Sequence, residues 1–147
     1  MGYLFVRKRK NIFFLEACEY KEHFLKYKPN FAIITNITYD HVDYFKTKEE
    51  YDSAFIKFAS SADKVLVNYQ YKDIIDNENT YTYGLDKRAD FYAKDYETTP
   101  FGIKGVVYYK GLKLIDFNFK NIFGEHLIED VVATFAYYYL QQEDLQI

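Results

Sequence analysis

Short apolar runs separated by polar segments dominate the first half of the chain. Two of these runs, 12–15 and 31–34, consist of aromatic and aliphatic residues, and each stops abruptly in polar residues. Runs of this length and composition are typical of strands that are buried on both faces of a parallel sheet. A third run, 65–67, follows a segment with helical periodicity. The order strand, helix, strand predicts a βαβ unit with parallel strands.

Three segments have apolar residues at the spacing of an amphipathic helix. Residues 48–62 form the clearest case, and Thr47 followed by Glu50 predicts a capping box at the start of this helix. A wide apolar face over 126–140 predicts a second long helix, and residues 20–27 have the pattern of a short one. The predicted helices alternate with the predicted strands, as expected of flanking helices on a sheet.

The second half of the chain has a different pattern. Residues 91–98, 103–109 and 112–119 are rich in strand-forming types, and Lys110-Gly111 predicts a tight turn between the last two runs. These runs predict an antiparallel, hairpin-rich section. We therefore expect an α/β fold, with a parallel sheet and flanking helices followed by the hairpins, in a single domain over 1–147.

Composition narrows the classes of protein that this chain can represent. Its 22 acidic and 19 basic residues lack the positive balance of a nucleic-acid-binding protein, and the basic run at 7–10 is interpreted as a solvated turn before a strand. A single cysteine excludes an intramolecular disulfide and fits a reducing compartment. The apolar runs are shorter than the roughly 20 residues of a membrane span, and no secretory signal is recognised. We expect a soluble cytoplasmic protein without nucleic-acid or membrane partners.

Candidate chemistry lies where the first two predicted strands end. Glu16 follows the first strand, and His41 lies shortly after the second. Because the carboxyl ends of parallel strands meet at one crevice, these side chains are candidates for a shared site for a divalent cation that serves phosphate groups, although strand-end Glu and His also often serve only to bind loop backbone. Asp40 or Asp43 either orients the His41 imidazole or forms an Asx turn.

The string LEACEY at 15–20, followed by TNITYDHVD at 35–43, resembles the central ATP-binding domain of the Mur ligases. The resemblance extends more weakly to Gly124-Glu125-His126 and the helix after it. It implies ATP-dependent amide-bond formation through an acyl phosphate in peptidoglycan precursor synthesis. Within the family, Glu-Ala-Cys-Glu-Tyr favours members whose substrates are ATP, UDP-N-acetylmuramate and L-alanine.

The resemblance also assigns site residues. In the family, the residues that match Glu16 and His41 are ligands of the catalytic Mg²⁺ ions that accompany ATP, and Asn36 of the same motif joins them in the catalytic set. His126 matches a residue near the adenine and ribose of ATP. Asp130 stands where the family usually has an Asn that hydrogen-bonds the adenine, and an ionised Asp cannot donate to a ring nitrogen.

One family motif is absent from the chain. None of the six glycines begins or completes the Gly-x-x-x-x-Gly-Lys-Ser/Thr loop that holds ATP phosphates. In the family this loop lies upstream of the strand that matches 12–16, and a further domain lies downstream of the last helix. The resemblance therefore implies a partial central domain that is inactive in isolation.

Two other functions remain open from the sequence. One is a non-catalytic binding module that pairs or oligomerises through an exposed sheet edge. The other is a small metal hydrolase that uses Glu16, His41 and Asp40.

Cys18 stands with Glu19 where the family approaches its sugar-nucleotide and amino-acid substrates. We expect a buried, inert thiol at Cys18 and a surface position for His23.

Overall fold

The computed structural model describes residues 4–7 and 10–143, and side chains from residue 12 to residue 142. The strands are β1 (Leu4–Arg7), β2 (Lys10–Phe13), β3 (Phe31–Ile34), β4 (Lys64–Asn68), β5 (Thr80–Gly84), β6 (Phe91–Thr99), β7 (Gly102–Tyr109) and β8 (Leu112–Lys120). The α-helices are α1 (Lys48–Ser60) and α2 (His126–Glu143), and short 3₁₀ helices cover Tyr20–Lys26 and Tyr69–Tyr71.

Strands β3 to β8 form one six-stranded sheet in chain order. Strands β3, β4, β5 and β6 are parallel, with Ala32 opposite Val65 and Ile34 opposite Val67, whereas β6, β7 and β8 are antiparallel. The unit β3–α1–β4 is the predicted βαβ unit. The structure confirms the predicted α/β fold and joins its two sections in one sheet, because β6 pairs with β5 on one side and with β7 on the other.

The prediction of a buried parallel strand over 12–15 is wrong. Strand β2 ends at Phe13 and pairs antiparallel with β1 in a separate two-stranded sheet. Phe13 is 79% exposed and Leu15 is 46% exposed. A strand buried on both faces needs covering layers on each, and β2 lies outside the sheet that the helices cover. Residues 8 and 9 of the basic run, where a turn was predicted, lie outside the described residues.

Alternation along β4 divides the apolar core between the two faces of the sheet. Val65 and Val67 pack with Phe55 of α1, whereas Leu66 points the other way and packs with Ile128 of α2. The side chains of Val65, Leu66 and Val67 are completely buried. Each such side chain contributes about 1.5–3 kcal/mol to folding when it leaves water. The molecule therefore has three layers, with the sheet in the middle.

The start of α1 confirms most of the predicted capping box. The Thr47 Oγ1 accepts a hydrogen bond from the backbone N–H of Glu50 at 3.2 Å. The Glu50 carboxylate, however, accepts from the backbone N–H of Lys46 at 2.8 Å, one residue before the cap.

The short helix predicted over 20–27 is a kinked 3₁₀ helix, in which Lys21 and Glu22 have positive φ. Neither α1 nor α2, the two α-helices in 10–143, combines the length and apolar character of a membrane span.

The hairpin strands differ from ideal ladders at two places. The turn at Lys110-Gly111 has positive φ at both residues, as the predicted tight hairpin requires. Strand β6 has an irregularity between Lys94 and Glu97, and the β7–β8 register shifts next to Tyr108. Bulges of this kind bend a strand and increase its twist.

Candidate functional site

The loops after β3 and β4 meet at the carboxyl edge of the parallel strands. The Asn36 side-chain oxygen accepts hydrogen bonds from the backbone N–H of Thr38 at 3.0 Å and from its hydroxyl at 2.6 Å. It also accepts from the hydroxyl of Tyr71, in the 3₁₀ helix that follows β4. This oxygen therefore ties the two loops together. Its catalytic assignment stays a prediction.

The backbone of His41 is fixed by its neighbours in the loop after β3. Its φ is +54°, in the left-handed region. The backbone N–H of His41 donates to the Asp40 carboxylate at 2.6 Å. The backbone N–H groups of Tyr44 and Phe45 both donate to the carbonyl oxygen of His41 at 2.9 Å. Asp40 therefore binds the loop backbone one residue on, whereas an Asx turn would bind the N–H two residues on.

The His41 ring lies against Glu19 and Tyr20, two adjacent residues of the segment that forms the first 3₁₀ helix and its N-cap. Its Nε2 is 3.1 Å from Oε1 of Glu19, and its ring centroid is 4.8 Å from that of Tyr20. The Tyr20 hydroxyl donates to the Asp43 carboxylate at 2.6 Å, and this hydrogen bond raises the pKa of Tyr20 and lowers that of Asp43. Burial, followed by the negative charges of Glu19 and Asp40, raises the pKa of Tyr51 to about 12. We call Glu19, Tyr20, His41, Asp43 and Tyr51 the His41 cluster.

The structure corrects the predicted partner of the imidazole. Asp40 binds the backbone of His41, and Asp43 binds Tyr20, so neither contacts the ring through a hydrogen bond. Glu19 takes that place. Sequence reasoning missed this role because Glu19 and His41 are 22 residues apart, and only the folded loops bring them together.

Glu16 lies in the irregular segment between β2 and the first 3₁₀ helix, with an exposed side chain. Among the residues that the structure describes, it makes no hydrogen bond or ion pair. No group of three or more His, Cys, Asp or Glu side chains within the described residues is arranged to hold a metal ion. Mg²⁺ that serves phosphate groups needs only one or two protein ligands, and the carboxylate and imidazole donors here suit that role. The metal assignment of Glu16 and His41 stays a prediction.

Two single-residue predictions near this site have opposite outcomes. Cys18 is exposed, so the prediction of a buried thiol is wrong. Its carbonyl oxygen accepts from the backbone N–H of Phe24 at 2.9 Å, while its side chain points outward. A backbone contact thus holds this position without placing the thiol in the core. His23 is exposed, as predicted.

A second polar region surrounds the start of α2. The His126 ring folds over Gly124, and a Cβ added to that glycine would lie 2.6 Å from the ring. Gly124 also has a φ of +112°. Both this positive φ and the close approach of the ring therefore favour glycine at this position. Asp130 lies one turn into α2 and is exposed. Burial raises the pKa of Tyr83, and the negative charge of Asp130 raises it further. The adenine-binding assignment of His126 and Asp130 stays a prediction.

A cleft of about 610 Å³ lies beside this region. Its lining includes Asn68, Tyr69, Lys72, Gly84, Arg88 and Glu129. Asn68 is only 4% exposed, and its side-chain oxygen accepts from the backbone N–H of Gln70 at 3.2 Å. Asn68 was not predicted from the sequence as part of a site, although it directly follows the run 65–67, and Asn36 follows the run 31–34 after one further residue. A polar residue directly after a buried strand was the available signal.

Comparisons with known proteins identify relatives of this chain. The Mur ligase middle domain matches residues 3–138. A UDP-N-acetylmuramate–L-alanine ligase of Pediococcus pentosaceus is 34% identical over 139 residues, which cover 92% of this chain and 32% of the relative. The chain therefore spans about a third of the length of that relative.

Solved structures show the same fold. A UDP-N-acetylmuramate-alanine ligase from Thermotoga maritima has a TM-score of 0.71 at 24% identity, over 85% of this chain and 29% of that one. A MurF ligase from Thermotoga maritima, solved in complex with ADP, has a TM-score of 0.60 at 15% identity, over 82% of this chain and 30% of that one. At these sequence identities, the two structural similarities are evidence of a shared fold alone.

Proposed function

Because this chain belongs to the Mur ligase family, we propose that it forms part of the ATP-binding middle domain of a UDP-N-acetylmuramate–L-alanine ligase. The observation that carries this proposal is the 34% identity to such a ligase over 92% of the chain. The proposed reaction is a cytoplasmic step in peptidoglycan precursor synthesis. Because the chain spans 32% of that relative, we propose that the chain alone is inactive.

The proposed reaction proceeds in two displacements. The carboxylate of UDP-N-acetylmuramate attacks the γ-phosphorus of ATP, the bond to the β–γ bridging oxygen breaks, and ADP leaves. The amino group of L-alanine then attacks the acyl phosphate, phosphate leaves, and the nitrogen loses a proton. Mg²⁺, when bound, would neutralise the negative charge on the transferred phosphoryl oxygens. Glu16 and His41 would hold this ion, and Asn36 would keep the loop around His41 in place through Tyr71.

We place the base of ATP near the start of α2, beside the cleft at the ends of β4 and β5. His126 and Asp130 are exposed there, so both are accessible to a ligand. An ionised Asp130 accepts hydrogen bonds but donates none, so it can accept from the exocyclic amino group of adenine and cannot bind a ring nitrogen.

A chimeric enzyme tests the proposal. The matching segment of the Pediococcus pentosaceus ligase is replaced by this chain, and ADP release is measured with both UDP-N-acetylmuramate and L-alanine present. We expect turnover that requires both substrates. Loss of one group that stabilises charge in the transition state costs about 100-fold or more in kcat, so His41→Ala and Glu16→Ala should lower turnover at least that far.

His23→Ala is the matched control, because His23 is exposed and lies outside the His41 cluster. It should retain the turnover of the parent chimera. A folded chimera whose turnover is unaffected by both His41→Ala and Glu16→Ala would contradict the proposed roles of these residues.

A second candidate function is a non-catalytic module that pairs through a sheet edge, and the two edge strands differ in their suitability for it. Strand β8 carries a register shift and the charged residues Lys113 and Lys120, features that discourage pairing. Strand β3 lacks both features, and its Ile33 is 37% exposed. Sedimentation over a range of concentrations tests this candidate. A stable dimer that persists in His41→Ala would support it, and a monomer at all concentrations would exclude self-pairing.

A further inference from the structure

The contact between Glu19 and His41 assigns the two nitrogens of the imidazole. Nε2 is 3.1 Å from Oε1 of Glu19. An ionised carboxylate accepts hydrogen bonds and donates none, so Nε2 carries the proton in this contact. In a neutral imidazole the other nitrogen, Nδ1, then has the free lone pair.

Contacts on the remaining sides of His41 limit its movement. The backbone is held by Asp40 on its N–H and by two backbone donors on its carbonyl. The ring lies against Tyr20 at 4.8 Å between centroids, and Tyr20 is itself anchored by its hydrogen bond to Asp43. A ring flip that exchanged Nδ1 for Nε2 opposite Glu19 would have to take place against Tyr20.

The backbone of Glu19 is in turn held at the start of the first 3₁₀ helix. Glu19 is the N-cap residue of this helix, and its carbonyl oxygen accepts from the backbone N–H of Glu22 at 2.8 Å. The charge of Glu19 also contributes, after burial, to the raised pKa of Tyr51 in α1. The Glu19 and His41 side chains are 27% and 31% exposed, so water only partly competes with their contact.

We propose that Glu19 is a positioning residue that holds His41 as the Nε2–H tautomer, so that Nδ1 is the nitrogen available to a divalent cation. The part concerning the cation rests on the proposed function, whereas the tautomer itself does not. Carboxylates that orient a metal-binding imidazole in this way strengthen metal affinity by about 10- to 100-fold.

NMR of the imidazole nitrogens measures the tautomer directly. The ¹⁵N-labelled chain is studied without metal at about pH 8.5, where an ordinary histidine with a pKa of about 6.5 is neutral. His41 is assigned by the signals that His41→Gln removes. We expect a larger Nε2–H share for His41 than for the exposed His23 and His126, and an Nε2–H proton that exchanges more slowly with water.

Glu19→Gln should bring the tautomer ratio of His41 towards that of His23 and His126, and should speed exchange of its Nε2–H proton. Glu22→Gln is the matched control, because Glu22 contacts Tyr44 and Lys57 and has no contact with the His41 ring in the described residues. It should leave the His41 signals unchanged. A wild-type His41 protonated at Nδ1, or an unchanged tautomer in Glu19→Gln, would overturn the positioning role.

Titration with Mn²⁺ tests the role of Nδ1 separately. Paramagnetic broadening should affect the His41 Nδ1 signal first, and Glu19→Gln should weaken Mn²⁺ binding by about 10- to 100-fold. Broadening that spares His41 would overturn the assignment of Nδ1 to the cation. If Glu19→Gln still shifts the His41 tautomer, the spared broadening contradicts the metal site of the proposed function, and the tautomer shift alone supports the positioning role of Glu19.

Discussion

Tyr51 has a hydroxyl that is surrounded by negative charge. It is 3% exposed, and burial together with Glu19 and Asp40 raises its pKa to about 12, against an ordinary value of 10.0. A tyrosine with a raised pKa in the folded state stabilises the fold fully below the ordinary pKa. Between about pH 10 and 12 the unfolded chain ionises at this residue while the folded chain does not, so this stabilisation is lost as the pH rises.

This behaviour predicts a pH-dependent difference between the wild type and Tyr51→Phe. The free energy of unfolding, measured by urea denaturation from pH 9 to pH 12, should fall more steeply for the wild type than for the variant above about pH 10. The other tyrosines titrate in both proteins, so their contributions cancel in the difference. A difference that stays constant across this range would contradict the raised pKa.

Residue-level assignments at the candidate site were only partly available from the sequence. The position of His41 in a strand-end loop was predictable, because a buried run and its polar continuation mark the end of a strand. The partner of its imidazole was not, because Glu19 reaches the ring from a segment that only tertiary packing brings near. Exposure of Cys18 was equally hidden, since the orientation of a side chain in an irregular segment has no periodic signal.

At the scale of single elements, Thr47 should set the stability of the start of α1. Its hydroxyl satisfies the backbone N–H of Glu50, which has no partner within the helix. Thr47→Ala should lower the free energy of unfolding by about 0.5–2 kcal/mol, measured by urea denaturation, and Thr47→Ser should retain most of it. Equal losses in the two variants would show that the hydroxyl is not the stabilising group.

Elements with a strong periodic pattern were predicted well, and elements whose partners decide their conformation were not. The apolar face of α1 was predicted from its helical period, and β3 and β4 were predicted as a parallel pair from the order strand, helix, strand. The run at 12–15 has the composition of a buried strand, but composition does not say which strand it pairs with, and here that strand is β1. The irregularity in β6 was hidden for a related reason, because a register shift depends on the neighbouring strand.

At the scale of the whole molecule, one sheet is shared by two apolar cores. Leu66 belongs to the core under α2, while its neighbours Val65 and Val67 belong to the core under α1. A cavity on one face of β4 should therefore weaken the packing on the other through the strand they share. This coupling would make the six-stranded sheet and its two helices a single cooperative unit.

Leu66→Ala tests this coupling. The side chain is completely buried, so its truncation should lower the free energy of unfolding by about 2–5 kcal/mol. Amide hydrogen exchange should then accelerate in α1 as well as in α2, although Leu66 packs only towards α2. Leu112→Ala is the matched control; Leu112 is 70% exposed, and its truncation should change stability by no more than about 0.5 kcal/mol. Faster exchange confined to α2 would show that the two faces of the sheet open independently.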